Sequence, residues 1–341
     1  MTSTLIPALG LLALIGSRAP AGTIPESPPE RPETTPLREV DKVPFTDGGW
    51  FAWREPAHCD GDGNLIVVPV PAADPRIPAA RQKRPDAILR VSRDGKKKTT
   101  IDPTRGSFPG ASEAVTVATT IDSGGSVHAL LWIPGERERT FRIASYDNSG
   151  EYRSSVKIDP EEIQVGDFEA FGSGEFLLFG VAMLPKVETR LVVLDSSGNL
   201  HDVLGVAVDD PTKEPEAPKR PPQMAPGGDG SIYLVLDGED AVYVVNPSAQ
   251  IRRAFTLDAT PRDWRRVGLK AAENRLAVVY YQAPANEGHG GSFWMAVYDV
   301  LSGERQAILG PVNRPPLCYS RQSDRDTFTV LGGKDLLLMA P

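Results

Sequence analysis

The stretch Met224-Ala225-Pro226-Gly227-Gly228-Asp229-Gly230-Ser231-Ile232-Tyr233-Leu234-Val235-Leu236, continued after Asp237-Gly238 by Ala241-Val242-Tyr243-Val244-Val245-Asn246, decides how this chain is read. Both apolar runs consist mainly of β-branched, aromatic and aliphatic residues, which suit a pleated, buried strand. Gly, Asp and Asn break the chain between them. Pro247-Ser248 then turns it into a third run, Ile251 to Leu257. Strand formers punctuated in this way predict one small antiparallel sheet.

The same grammar recurs in weaker copies on either side. A turn precedes an apolar strand at Asp60 to Asn64 before Leu65, Ser123 to Ser126 before Val127, and Gly172 to Glu175 before Phe176. It returns at Gly227 to Ser231 before Ile232, Ala272 to Arg275 before Leu276, and Arg321 to Thr327 before Phe328. Successive strand starts lie 62, 49, 56, 44 and 52 residues apart. A period near 50 repeated six times fits a four-stranded propeller blade, although the irregular spacing leaves seven blades open. A second turn closes most units: Asp147 to Gly150, Asp195 to Gly198, Asp299 to Gly303, the shorter Arg93-Asp94-Gly95, and Asn246 to Ala249, which lacks the glycine. Asp or Asn at the first position accepts backbone N–H groups, and Gly at the last supplies positive φ.

Six first turns accompany five second turns, so one unit is incomplete. It is the last. Its three strands fall near Leu317 to Tyr319, Thr327 to Leu331 and Lys334 to Met339, and the chain then stops. The missing fourth strand is expected from the N-terminal side, around Val40 to Phe45. A ring closed by its own ends leaves no open sheet edge.

Composition supports this reading and narrows function. Thirty-two glycines and 32 prolines are spread as turn punctuation, and no capped amphipathic helix of 12 residues is found. A net charge of −8 argues against general nucleic-acid binding. Leu5 to Ile15 is apolar but too short to span a membrane, and Ala19-Pro20-Ala21 fits a signal-peptidase site. Residues 1–21 are therefore read as a signal peptide and residues 22–36 as a Pro-rich disordered tether. Residues 37–341 are read as a single propeller domain. The expected location is the periplasm or the cell exterior. Met1 to Thr4 carry no Lys or Arg, so an uncleaved N-terminal membrane anchor is the alternative. Ser17 stands where a lipoprotein box needs Cys.

At the level of the repeat, Gly228 to Val235 and Val242 to Asn246 resemble six-bladed β-propellers of the NHL-repeat type. The resemblance implies an all-β fold across residues 37–341. It implies little about activity.

In such a blade, the turns between strands one and two and between strands three and four share one face. The connections between strands two and three and between blades share the other. Here the long segments all fall on the second face: Pro71 to Asp86, Pro103 to Ser112, Pro134 to Arg139, Gly205 to Pro222, Asp258 to Asp263 and Gln282 to Gly291. Long loops on a rigid scaffold are where binding concentrates. The residues expected to enter the innermost strands there are His58, Glu113, Asp167, Gln223, Arg266 and Tyr319. They are candidate ligands of a polar molecule at the channel mouth, or else they solvate that mouth. Trp264, among Arg262, Arg265 and Arg266, suits a sugar face or a carboxylate, with packing between blades as the alternative.

Asp60-Gly61-Asp62-Gly63-Asn64 opens like a calcium loop, but Leu65 and Pro71 stand where Gly and Glu are required, so it reads as a β-turn. Four scattered histidines show no zinc spacing, and no metal site, other cofactor or catalytic residue is assigned. Cys59 and Cys318 both lie in first strands, of blades one and six, which ring closure makes neighbours. They form a candidate disulfide, or else two buried thiols.

The expected function is an exported, monomeric binding platform for a glycan, a peptide or an envelope protein. No nucleic-acid partner and no stable membrane span after signal cleavage are expected. The alternative is a metal-dependent propeller enzyme, a lactonase-like hydrolase or a lyase.

Overall fold

The computed structural model describes residues 33–44, 50–71, 87–134, 140–182, 187–203, 221–284, 290–322, 324–332 and 335–341. The expected signal peptide and most of the tether lie outside these residues. So do most of the insertions placed at 71–86, 134–139, 205–222 and 282–291.

Among the described residues, twenty-four strands form six four-stranded antiparallel sheets. Strand β1 (Arg38–Pro44) comes first but belongs to the last blade. Blade one is β2 (Trp50–Cys59), β3 (Leu65–Pro71), β4 (Ile88–Val91) and β5 (Lys98–Ile101). Blade two is β6 (Val115–Ile121), β7 (Val127–Ile133), β8 (Thr140–Tyr146) and β9 (Tyr152–Ile158). Blade three is β10 (Gln164–Ala170), β11 (Phe176–Ala182), β12 (Glu188–Leu194) and β13 (Leu200–Asp202). Blade four is β14 (Gln223–Pro226), β15 (Ile232–Val235), β16 (Ala241–Val245) and β17 (Ile251–Thr256). Blade five is β18 (Trp264–Ala272), β19 (Arg275–Gln282), β20 (Ser292–Asp299) and β21 (Arg305–Val312). Blade six is β22 (Pro316–Gln322), β23 (Arg325–Gly332) and β24 (Asp335–Ala340), completed on its outer edge by β1. The protein is a six-bladed β-propeller.

The second strand of each blade is sandwiched between neighbouring sheets, which is why it is apolar on both sides. Ile232 to Val235 and Phe176 to Gly180 are buried without interruption. Six apolar clusters result, one at each junction, and the last joins Val43, Leu336 and Leu338 of blade six to Leu65, Val67 and Val91 of blade one. The ring is closed by packing as well as by the register of β1 on β24, where Val43 lies opposite Leu336.

The turns behave as their sequence predicts. Asp147 Oδ1 accepts the N–H groups of Ser149 (2.9 Å) and Glu151 (3.0 Å), and Gly150 takes φ of 87°. In the copy without glycine, Asn246 makes the same bonds and Ala249 itself adopts φ of 59°. Asp60 spends its oxygens in the same way, on the N–H groups of Asp62 and Asn64 and on Arg90, as a turn residue would.

Ordered pairing starts earlier than the expected tether boundary at residue 36. Thr35 bridges β21, donating to Ile308 O (2.8 Å) and accepting from Gly310 N (3.1 Å), and Leu37 is buried against blades five and six. The backbone of the tether's last residues finds partners that its composition does not advertise.

Candidate functional site

The six innermost strands, β2, β6, β10, β14, β18 and β22, surround a central cavity of about 430 Å³. Four of them slip by one residue near their entry ends, at Val117, Gly166, Val267 and Leu317, and β2 slips between Trp50 and Ala52. A bulge of this kind reverses the in-and-out phase of the strand beyond it. In blade three it sets Asp167 and Glu169, two residues apart, on the channel wall together.

A buried polar group forms there from blades one, two, three and five. Glu169 accepts a hydrogen bond from Thr120 Oγ1 and lies 3.9 Å (Oε1) from His58 Nδ1. Lys270 Nζ donates to Ala57 O across the channel (3.0 Å). His58 Nε2 is buried without a hydrogen-bond partner, and so is Gln223 Oε1 on β14.

Burial dominates the protonation of this group. It pushes the Glu169 carboxyl up to about 8, against the Thr120 hydrogen bond, with the neighbouring Asp167 adding to the rise and Lys270 opposing it. Asp167 is raised to about 6 by burial, partly offset by the Phe168 N–H. His58 is lowered to about 3 by burial and by the charge of Lys270. At neutral pH the wall therefore holds a protonated Glu169, a neutral His58 and an ionised Asp167.

A second hollow of about 280 Å³ lies on the long-loop face between blades four and five. Gln223, Asp237, Asp240, Trp264, Arg265 and Arg266 border it. Arg266 is held to the β15–β16 loop through Leu236 O (3.2 Å) and Glu239 O (2.7 Å). Trp264 stacks on Trp294 at 5.1 Å with an interplanar angle of 16° and also meets Tyr280. Arg265 is exposed, with its guanidinium 5.9 Å from the Tyr281 ring centre.

The six residues expected to enter the innermost strands on the long-loop face lie at different places in the structure. His58 is next to last in β2, at the short-turn end, because three residues of β2 bulge between Arg54 and His58 opposite one in β3. Glu113 is exposed at the end of a 3-10 turn, Ala111–Glu113, ahead of β6 and does not line the cavity. Asp167 and Gln223 do line it. Tyr319 borders it but is buried, stacked on Phe328 and donating to Asp326 Oδ1 (2.6 Å). Arg266 belongs to the hollow.

Sequence reasoning missed Thr120, Glu169 and Lys270. Glu169 had a usable signal, since it shares the period-two face of Asp167. Lys270 had none, because the slip at Val267 is invisible in the sequence.

Cys59 and Cys318 are joined as a disulfide between β2 and β22, with their Cα atoms 5.4 Å apart. Among the described residues, no helix is long and apolar enough to cross a membrane. Within the same residues, no group of three or more His, Cys, Asp or Glu side chains is arranged to hold a metal ion.

Neither a known protein family nor a curated protein sequence matches this chain. Solved structures do resemble it. A member of the duf4221 family from Bacteroides vulgatus superposes with a TM-score of 0.55 at 10% identity, over 89% of this chain and 97% of that one. A gluconolactonase from Xanthomonas campestris gives 0.47 at 12% identity, over 92% and 99% of the two chains. A streptogramin B lyase gives 0.44 at 11%, over 89% and 97%. At such identities the likeness is one of fold.

Proposed function

We propose that this protein is an exported propeller that works as a binding platform, holding a glycan, a peptide or an envelope protein on its long-loop face. The observation that carries the reading is Gln223, which borders both the channel and the hollow between blades four and five. An extended ligand lying in the hollow meets Arg265 and Asp240 at one end and the channel mouth at the other. Gln223 Oε1, buried and without a partner, supplies an acceptor where the two meet. The closed ring beneath is rigid, which keeps the ordering cost of binding low. The Cys59–Cys318 bond fits an oxidising compartment outside the cytoplasm.

A glycan array and a peptide library probed with the full chain test this reading. Retention of one class, lost in Gln223→Ala and Arg265→Ala while thermal melting is unchanged, is the expected result. Equal retention by both variants would remove the hollow from the site.

The alternative, a metal-dependent hydrolase or lyase, has His58, Asp167 and Glu169 as donors along the channel, although among the described residues they are not arranged to hold a metal ion together. A stoichiometric divalent cation that survives dialysis, and is lost in Asp167→Asn, would favour it.

A further inference from the structure

The hollow and the channel differ in chemistry, and the channel supports a conclusion that stands even if the hollow binds nothing. Its wall presents polar groups from four blades: Asp167 and Glu169 from blade three, Lys270 from blade five, His58 from blade one and Gln223 from blade four. His58 is only 7% exposed and its Nε2 has no hydrogen-bond partner. Buried polar atoms are almost always satisfied, so an unpaired imidazole nitrogen on a cavity wall marks a place for a ligand atom or water. The cavity, about 430 Å³, falls within the usual range for small-molecule sites, about 300–1,000 Å³.

We infer that the central channel binds a small, uncharged, polyhydroxylated ring, such as a monosaccharide or cyclitol, seated against the cluster of His58, Glu169 and Lys270, with Asp167 and Gln223 as further contacts on the wall.

Two features of the wall select this class. The first is charge. The wall carries one carboxylate that is ionised at neutral pH, Asp167, and one ammonium, Lys270, so a ligand anion meets the first and a ligand cation meets the second. Either ion enters a buried space as the unpaired charge, and such charges are strongly disfavoured. The protonated Glu169 and the neutral His58 add hydrogen-bonding capacity without adding charge.

The second feature is the mixture of donors and acceptors. Lys270 only donates, the Asp167 carboxylate and Gln223 Oε1 accept, and a neutral imidazole does one at each nitrogen. A hydroxyl both donates and accepts, so a ring bearing several of them satisfies such a wall from any side. A purely donating amine or a purely accepting carboxylate does not.

Calorimetric titration at pH 7 tests this with three sets of rings. The neutral probes are D-glucose, N-acetyl-D-glucosamine and myo-inositol. D-glucosamine is the cationic counterpart and D-glucuronate the anionic one. At least one neutral probe is expected to bind, and the charged counterparts of the glucose ring to bind at least tenfold more weakly than the best neutral one. Glu169→Gln, which keeps the shape of the protonated acid, retains binding within about threefold. Lys270→Met and His58→Phe lose at least tenfold. Arg265→Ala, which alters an exposed side chain of the hollow, leaves the affinity unchanged, so failure here is separable from failure of the platform reading. No binding by any neutral probe overturns the inference, as does equal or tighter binding of either charged counterpart. Should Lys270→Met or His58→Phe fail to fold, Asp167→Asn takes their place, with the same tenfold loss expected and an unchanged affinity counting against the site.

Discussion

His58 and Glu169 meet inside the channel, imidazole Nδ1 3.9 Å from carboxyl Oε1, although they come from blades one and three. Thr120 of the intervening blade hydrogen-bonds the same carboxyl, so three blades converge on one acid. Their convergence depends on bulges that rephase the inner strands, which makes the channel wall a product of register rather than of residue pattern alone.

The protonation of this pair predicts a pH dependence of stability. Glu169 has its carboxyl raised from 4.5 to about 8 on folding, so between those values the folded chain binds more protons than the unfolded one. Stability then falls as pH rises. Asp167, raised from 3.8 to about 6, acts in the same direction over its own lower window. His58, lowered from 6.5 to about 3, acts oppositely, and its contribution is lost as pH falls below 6.5. Above pH 6.5 the Asp167 and His58 contributions are nearly complete and change in opposite directions, which leaves Glu169 as the dominant one. Urea unfolding should show wild-type stability dropping between pH 6.5 and 8, by at most about 1.4 kcal/mol per pH unit. Glu169→Gln should be flat over that range, and a wild-type slope retained in the variant would assign the effect elsewhere.

The Cys59–Cys318 bond ties blade one to blade six at the seam, across 259 residues of sequence. Removing it with Cys59→Ser/Cys318→Ser should cost about 2–4 kcal/mol, chiefly by freeing the unfolded chain. Non-reducing peptide mapping should recover the two cysteines in one linked species. Denaturant melts of the oxidised and the doubly substituted chains measure the cost. Unlinked peptides or coincident melts would each refute the role.

Much of this fold can be read from local chemistry because each blade repeats its punctuation. Asp147 to Gly150 and Asp195 to Gly198 announce hairpins through Asx bonds and positive φ, which are properties of four residues at a time. Ring closure is readable by counting, since the three last strands lack a fourth and residues 38–44 supply it. The channel is another matter. His58 lies at the far end of β2 because of a three-residue bulge, and Lys270 enters the wall only through the slip at Val267. Both depend on pairing with a partner strand, and neither leaves a mark on composition or spacing. Glu113 shows the converse: a polar residue in the expected place, carried away from the cavity by a 3-10 turn.

Gly95 supports the seam from the opposite side. It takes φ of 68° in the outer turn of blade one, where an added Cβ would collide with Cγ1 of Val43 in β1. Gly95→Ala therefore combines a left-handed conformation, costing about 1–2 kcal/mol, with overpacking worth about 1–3 kcal/mol. A loss of roughly 2–5 kcal/mol in urea unfolding is expected. Gly61→Ala, where an added Cβ would meet nothing within 4 Å, serves as the control and should change stability by well under 1 kcal/mol.

Strand β1 gives the strictest test of the closed ring. A chain starting at Glu33 keeps Thr35 on β21, Leu37 in its apolar cluster and the whole of β1 on β24. A chain starting at Phe45 loses all three. Leu37 and Val43 leave the core at about 1.5–3 kcal/mol each, and the hydrogen-bonding edge of β24 is bared next to the buried Leu336 and Leu338. The combined loss, about 3–6 kcal/mol before any unpaired backbone groups are counted, is comparable with the whole stability of a typical domain. The exposed edge also invites pairing with another chain. The longer form should be soluble and elute as a monomer, with a melting temperature close to that of the full chain. The shorter form should aggregate or elute as oligomers. Adding a synthetic peptide of residues 33–44 to the refolding mixture should restore part of the monomer, because the peptide can take the place of β1. If the shorter form is monomeric and melts like the longer one, the N-terminal strand does not close the ring.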